Sequence, residues 1–323
     1  MKRSSANIAH AVIDIGSNSI KLRVGGCVRG RLDVLLDTTE VVKLGCGFVD
    51  GAITEATMQN AVRVVAEMVD RARSLGAEPC LVGTMALRRA VNAGEFQRRI
   101  RELKGLDIRI LSGEEEARYS WRGAMAGFCL GGDLVMFDTG GGSTEFVFGR
   151  REGISRTQSV PVGAVTLMEQ FFTMDPVPAP ILKDAMDFVY DVLEQNGIAR
   201  ARPASEPLVV GLGGGVVAVG SVKNGSDTFI PRRLHGMMLT QKDLAAQLEL
   251  YSALTLSERQ NIVGLPASRA DIILGSVCIA LCGMRALNVP SFILSINGLR
   301  HGLLMEMFEK DGCPLDGRLN TQG

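Results

Sequence analysis

From residue 8 to 42, apolar positions alternate with small or polar ones (IAHAVIDIG, SIKLRVGGCV, RLDVLLDTTEVVKL) and glycines punctuate the pattern. This period of two predicts three consecutive antiparallel strands. The period then changes. ITEATMQNAVRVVAEMVDRARSLG carries apolar side chains at helical spacing and ends on a glycine suited to a C-terminal cap. A short strand (CLVGT), a helical patch, a strand (DIRIL) and a helix opening at SGEEEARYSW complete a first α/β segment. From Asp133 the order restarts. LVMFDTGGG, STEFVFGRREG and ISRTQSVPVG again read as three strands, with helices expected near 163–172 and 180–196 and DPVPAPI as a Pro-rich turn before the second. The strand PLVVGLG leads into GGVVAVGSV; a helical region over 240–287, the strand SFILSI, the turn NGLRHG and a closing helix to about Phe308 follow.

The two segments begin alike. AVIDIGSNSIKLRV and LVMFDTGGGSTEFV align at a constant offset of 124 residues: Asp14 with Asp138, Gly16 with Gly140, Ser19 with Ser143. Duplication of a whole domain explains the repeat. The expected boundaries are residues 1–130 for one domain and 131–298 for the other, a C-terminal helix at 299–311 packing back on the first, and a loose tail over 312–323. A chain of 323 residues also exceeds the size at which a single core usually stops growing.

Composition narrows the function classes. Apolar residues make up 46% and charged residues 22%, with 35 Lys and Arg against 35 Asp and Glu, so a globular protein is expected and a general polyanion-coating surface is not. Neither nucleic acid nor membrane is expected as a partner. A neutral total leaves room for a local basic site, because local fields follow arrangement. The seven cysteines are odd in number and lack zinc-site spacing; Cys278 and Cys282, one helical turn apart, read as small hydrophobes on a buried helix. A reducing cytoplasm fits this usage. The N-terminus shows no secretory signal, and the longest apolar runs fall short of the ~20 residues of a membrane span.

A strand that ends in Asp and turns through Gly and Ser offers backbone N–H groups around a tight bend, which is an anion site that glycines open to phosphate oxygens. The aspartate suits an anion only with a cation between them, and Mg²⁺ is the natural mediator. Two such turns across a domain cleft would clamp a phosphate chain; the plainer alternative is a pair of Gly-containing hairpins. GLGGG at 211–215 opens a helix after a strand, another phosphate-favouring junction, although its spacing is wrong for a dinucleotide fingerprint. SINGLRHG is the corresponding C-terminal junction and reads equally as a hinge. In SGEEEARYSW, Ser112 and Glu115 have capping-box spacing, so acidic residues there have a structural duty by default. Helical geometry alone does not choose which of Glu114, Glu115 and Glu116 turns toward a site. Glu145 stands on a strand just beyond the second turn, where the first domain has Lys21. A carboxylate can take a proton from water, and Arg88, Arg89 and Arg269 are candidates to meet phosphate oxygens.

These motifs, in order from about residue 8 to 308, resemble the exopolyphosphatase and guanosine pentaphosphate phosphohydrolase family: DIGSNSIKLRV, ALRRAVN, LSGEEEARYSW, DTGGGSTEFVFG, LHGMMLT, ASRADIILG and SINGLRHGLL. The family belongs to the superfamily that also holds actin and the acetate and sugar kinases. The resemblance implies an α/β chain with two ribonuclease-H-like (actin-like ATPase) domains of mixed sheets facing each other across a cleft. It also implies dependence on Mg²⁺ or Mn²⁺ and release of terminal phosphate from inorganic polyphosphate or from a guanosine pentaphosphate. It makes Asp14 and Asp138 the metal-side carboxylates. Gly16, Ser17, Asn18 and Ser19, with Gly140, Gly141, Gly142 and Ser143, become the phosphate loops, and Arg88 falls on a phosphate-contacting arginine; Gly213, Gly214 and Arg269 stay phosphate candidates on the chemistry of their own segments. It picks Glu116 as general base, with Glu145 helping to place the attacking water. Homodimers are common among similar proteins.

Three motifs depart from the family pattern: Gly215 and Val216 stand where Ser or Thr follows the glycine pair, Ile296 stands for an acid, and Met85 for a small residue. They bear on the substrate and leave the proposed base and metal carboxylates intact. Hydrolysis of polyphosphate is the leading expectation. Its rivals are hydrolysis of pppGpp to ppGpp in the same site, phosphoryl transfer from ATP, and a sensor that binds an alarmone or polyphosphate without turnover.

Overall fold

The computed structural model describes residues 8–203, 205–313 and 315, which divide into two compact units. Unit 1 comprises residues up to Phe128 together with the segment from Leu299; unit 2 is Cys129–Gly298.

In unit 1, β1 (Ala9–Ile15), β2 (Ser19–Val28) and β3 (Arg31–Val41) form an antiparallel meander. A two-stranded hairpin, β4 (Phe48–Val49) with β5 (Ala52–Ile53), leads to α1 (Glu55–Ser74). Then come β6 (Pro79–Gly83), α2 (Met85–Arg89), α3 (Ala93–Lys104), β7 (Ile108–Ile110) and α4 (Gly113–Met125). The sheet order is β3-β2-β1-β6-β7, with β6 and β7 running parallel to β1. Central β1 is covered on both sides: Ala11, Ile13 and Ile15 join the cluster under α1 and α3, while Val12 joins a second cluster on the opposite face. The two-residue period of the sequence is thus sorted between two apolar layers.

Unit 2 repeats the plan with β8 (Leu134–Thr139), β9 (Thr144–Arg150) and β10 (Gly153–Val160), followed by α5 (Ala164–Phe171) and α6 (Ala179–Gln195). Next are β11 (Leu208–Leu212), α7 (Gly214–Asn224), α8 (Pro231–Leu234), β12 (Met238–Thr240), α9 (Gln241–Ala253), α10 (Leu256–Arg259), α11 (Ile273–Leu287) and β13 (Ser291–Leu294). The order is β10-β9-β8-β11-β13-β12, in which β8, β11 and β13 are parallel. Every residue of α11 except Arg285 is buried, Cys278 and Cys282 among them, and burial pushes the Cys282 thiol up to about 12. These two cysteines are the inert small hydrophobes the sequence suggests.

The chain then returns to unit 1 as α12 (Leu299–Lys310), which packs on α4 and β1. Leu299, Leu303, Leu304 and Phe308 meet Val12, Val82, Leu111 and Tyr119 in the second cluster. Arg300 Nη1 donates to Leu22 O at 3.0 Å and to Asp37 Oδ1 at 2.6 Å, while Arg23 holds Asp37 Oδ2 at 2.8 and 2.6 Å. Burial alone would raise the Asp37 carboxyl, but Arg300 and Arg23 outweigh it and hold the group below the usual carboxylate range.

Three features differ from the sequence reading. The pairs β4–β5 and β12–β13 were not foreseen, because two- and three-residue strands are too short to show a period. The helical region over 240–287 is three helices, broken at Leu254 and after Gln260. Cys27 on β2 is disulfide-bonded to Cys313, just past α12, across 286 residues, whereas the cysteine usage suggested a reducing compartment. Of the tail over 312–323, all but Gly312, Cys313 and Leu315 lie outside the described residues. No described helix is long and apolar enough to cross a membrane.

Candidate functional site

Both repeated turns close with the same hydrogen bond: Gly16 N donates to Ser19 O at 3.1 Å, and Gly140 N to Ser143 O at 2.9 Å. The repeat seen in sequence is therefore a repeat of backbone geometry. The bracing differs. In unit 1, Val42 N and Lys43 N donate to Asn18 O, and Gly45 N donates to Ser17 O at 2.7 Å. In unit 2, the first amides of α5 do this, with Ala164 N on Gly140 O at 3.0 Å and Val165 N on Gly141 O at 2.8 Å. Ser17, Asn18, Ser19 and Ser143 are all buried.

The charges behind the two turns differ in sign. Asp14, opposite Lys21 across β1 and β2, has its Oδ2 3.9 Å from Lys21 Nζ, and its Oδ1 is buried with no hydrogen-bond partner. Asp138 instead stands opposite Glu145 across β8 and β9. Glu145 is 2% exposed and accepts a hydrogen bond from Ser159 Oγ at 2.8 Å. Two carboxylates directly opposite each other on an antiparallel ladder repel, and a divalent cation relieves that repulsion. The hard oxygens of Asp138 and Glu145 fit Mg²⁺ or Mn²⁺, and the partnerless Asp14 Oδ1 fits the same chemistry. Among the described residues no group of three or more His, Cys, Asp or Glu gathers.

The three glutamates of α4 separate cleanly. Ser112 caps the helix by accepting from Glu115 N, and Glu115 Oε2 accepts from Ser112 N at 2.9 Å, while Arg109 takes the other Glu115 oxygen. These contacts hold the Glu115 carboxyl below its ordinary range. Glu114 is exposed. Glu116 alone is drawn into unit 1, where Arg88 Nη1 donates to its Oε2 at 2.9 Å and to Leu111 O at 2.6 Å. Arg88, which the resemblance assigns to phosphate, thus orients Glu116 with one nitrogen and keeps further donors for other groups. Arg89 is exposed.

At the third Gly-rich junction, Gly213 has φ +107°, and a Cβ there would fall 2.3 Å from Thr139 O, so β11 ends in direct backbone contact with β8. Arg269 lies over the start of α7: a Cβ on Gly214 would come within 2.3 Å of its Nη2. Gly215 answers one departure from the family pattern, because a Cβ there would meet Ser276 Oγ of α11 at 1.9 Å. The Ser276 hydroxyl itself donates to Ile272 O at 3.3 Å, within its own chain segment.

Several residues had no role assigned from the sequence. Ser159, which holds Glu145, is the residue paired with it across β9 and β10, so strand register alone would have found it. Thr139 and Asn297 are buried with side-chain atoms that lack hydrogen-bond partners. Gly298 lies against Asp138, since a Cβ there would sit 3.7 Å from Oδ2. His235, in the LHGMMLT segment, is partly buried, and that burial lowers its imidazole from 6.5.

Unit 1 therefore carries Asp14, Gly16 to Ser19, Arg88 and Glu116. Unit 2 carries Asp138, Gly140 to Ser143, Glu145, Gly213, Gly214 and Arg269.

Residues 23–311 match the sequence profile of the Ppx/GppA phosphatase family. A guanosine-5'-triphosphate,3'-diphosphate pyrophosphatase of Photobacterium profundum is 28% identical over 315 residues, covering 96% of this chain and 61% of the relative. The Vibrio cholerae protein of the same name is 28% identical over 314 residues with the same coverage, so the chain spans about 61% of the length of these relatives. A crystal structure of the Aquifex aeolicus Ppx/GppA family member superposes with a TM-score of 0.79 at 28% identity, covering 95% of this chain and 99% of that one. An exopolyphosphatase from Cytophaga hutchinsonii, 23% identical, shares the fold with a TM-score of 0.84 over 94% of this chain and 98% of its own. The α/β units are accordingly of the ribonuclease-H-like, actin-like kind, and the chain belongs to the Ppx/GppA phosphatase family.

Proposed function

We propose that the protein hydrolyses the terminal phosphoric anhydride bond of inorganic polyphosphate with the help of a divalent cation. The observation that carries this reading is the doubled turn with unequal charges. Two loops closed by the same hydrogen bond follow an aspartate, and only the second places a buried glutamate opposite it. The loops bind phosphate oxygens through their backbone amides. Asp138 and Glu145 would hold the cation, with Asp14 the matching carboxylate of the first loop, and the cation would neutralise charge on the transferring phosphate. Glu116, oriented by Arg88, takes the proton from the attacking water, and Glu145, fixed by Ser159, places that water. Arg269 meets the outer phosphate oxygens. The alternatives of ATP-dependent transfer and of a sensor without turnover lack a use for so well oriented a carboxylate as Glu116.

A second substrate has its own support: the curated relatives are named for guanosine-5'-triphosphate,3'-diphosphate. Removal of the terminal phosphate of pppGpp requires the same cation and the same base.

Phosphate release from long polyphosphate, short polyphosphate and pppGpp, each with Mg²⁺, tests both. Glu116→Gln is expected to lower the turnover of the preferred substrate by about 10²- to 10⁴-fold while its binding persists. Equal turnover by the variant refutes Glu116 as the base, and absence of release from all three refutes hydrolysis itself.

A further inference from the structure

We infer that Asn297 is a ligand-binding residue whose side-chain amide engages a phosphate group together with a water of its divalent cation at the carboxyl end of β8. The inference rests on the hydrolase reading and gives a role to a residue of the SINGLRHG junction to which neither the spacing nor the resemblance assigned one.

Ligands of open parallel sheets bind beyond the carboxyl ends of the strands. In unit 2 those ends belong to β8, β11 and β13, and the chain leaving β13 crosses toward β8. Ser295 N donates to Gly211 O on β11 at 2.9 Å, and at Gly298 a Cβ would lie 3.2 Å from Leu212 Cδ2 and 3.7 Å from Asp138 Oδ2. Ser295 fixes the bend: its Oγ donates to Asn297 O at 3.1 Å and accepts from Asn297 N at 3.2 Å. The backbone of Asn297 is thus held in the turn that ends beside Asp138.

Its side chain is a different matter. Asn297 is 1% exposed, yet neither Oδ1 nor Nδ2 has a hydrogen-bond partner. Buried polar atoms are nearly always paired, and a carboxamide with neither end paired is costly to keep. A purely structural position would favour an apolar residue, as at neighbouring Ile296, which packs on the core. Thr139 Oγ1, at the end of β8, is a second buried atom without a partner in the same unit. A carboxamide offers a donor and an acceptor side by side. The anion alone would use Nδ2 and leave Oδ1 unpaired; a phosphate that brings a hydrated cation uses both. An uncharged side chain is also the suitable one next to Asp138, where a further carboxylate would add repulsion.

The test uses the full chain with Asn297→Ala and Asn297→Leu, read by thermal melting without ligand and by titration calorimetry with Mg²⁺ plus imidodiphosphate, which is not hydrolysed. Both variants are expected to melt at or above the wild-type temperature and to bind the probe at least roughly tenfold more weakly. A lower melting temperature in both variants, or unchanged probe binding, overturns the inference while leaving hydrolysis by the wild type untouched. A wild type that neither binds the probe nor releases phosphate overturns the proposed function as well.

Discussion

At Gly215 the space a β-carbon would need is taken by Ser276, whose Oγ and Cβ would lie 1.9 and 2.4 Å from it. Gly215→Ala is therefore expected to cost about 1–3 kcal/mol through overpacking. Ser276→Ala keeps the clashing Cβ and should not relieve it, whereas Ser276→Gly should, so a double-mutant cycle read by chemical denaturation distinguishes the two. Additive costs in the Gly215→Ala, Ser276→Gly pair would refute the clash. His235 supplies a pH signature. Burial lowers its folded pKa below 6.5, so the unfolded chain binds more protons just below that value. Its stabilising contribution is complete above pH 6.5 and declines as pH falls toward the lowered value. The melting temperature of His235→Gln should thus fall less steeply than the wild type's between pH 6.5 and 5; parallel curves would exclude the residue as a source of the slope.

At the scale of elements, α4 shows how a helix end is shared between folding and chemistry. Ser112 and one oxygen of Glu115 serve the cap, Arg109 takes the other oxygen, and Glu116 is left to Arg88. Ser112→Ala is expected to cost about 1 kcal/mol and to lower activity, because the turn that carries Glu116 frays; full activity in a stable variant would show that the cap does not position the base. The sequence made the box and the repeated turns legible because both follow from short-range rules: a cap needs fixed residue types at fixed spacing, and a β-turn needs its glycines. Helical geometry could not choose among the three glutamates, and only the family resemblance pointed to Glu116, since the choice depends on Arg88, 28 residues away. Nor could the sequence reveal Asn297, whose interest lies in what its surroundings fail to offer. Asp37 is a second case of long-range pairing, joining β3 to β2 and to α12. Asp37→Asn weakens the pairing of Arg23, which is 7% exposed, and should cost about 3 kcal/mol in urea unfolding, the lower end for a buried pair because Asp37 stays partly in solvent.

At the scale of the whole molecule, unit 1 is discontinuous: its second apolar layer is completed by α12, which lies beyond all of unit 2 in the chain. The Cys27–Cys313 bond fastens the end of this helix to β2. Under oxidising conditions Cys27→Ser should lower stability by about 3–5 kcal/mol, and a reductant should bring the wild type down to the variant. A difference that survives reduction would assign the effect to packing. The discontinuity also sets an order of events during synthesis. Unit 2 is contiguous and has all it needs once Gly298 has emerged, whereas unit 1 waits with Val12, Leu111 and Tyr119 uncovered from Phe128 until α12 is made. At ~5–20 residues per second that delay is on the order of ten to forty seconds. The portion of the chain translated first is consequently the portion finished last, its five strands in place long before the helix that covers their second face.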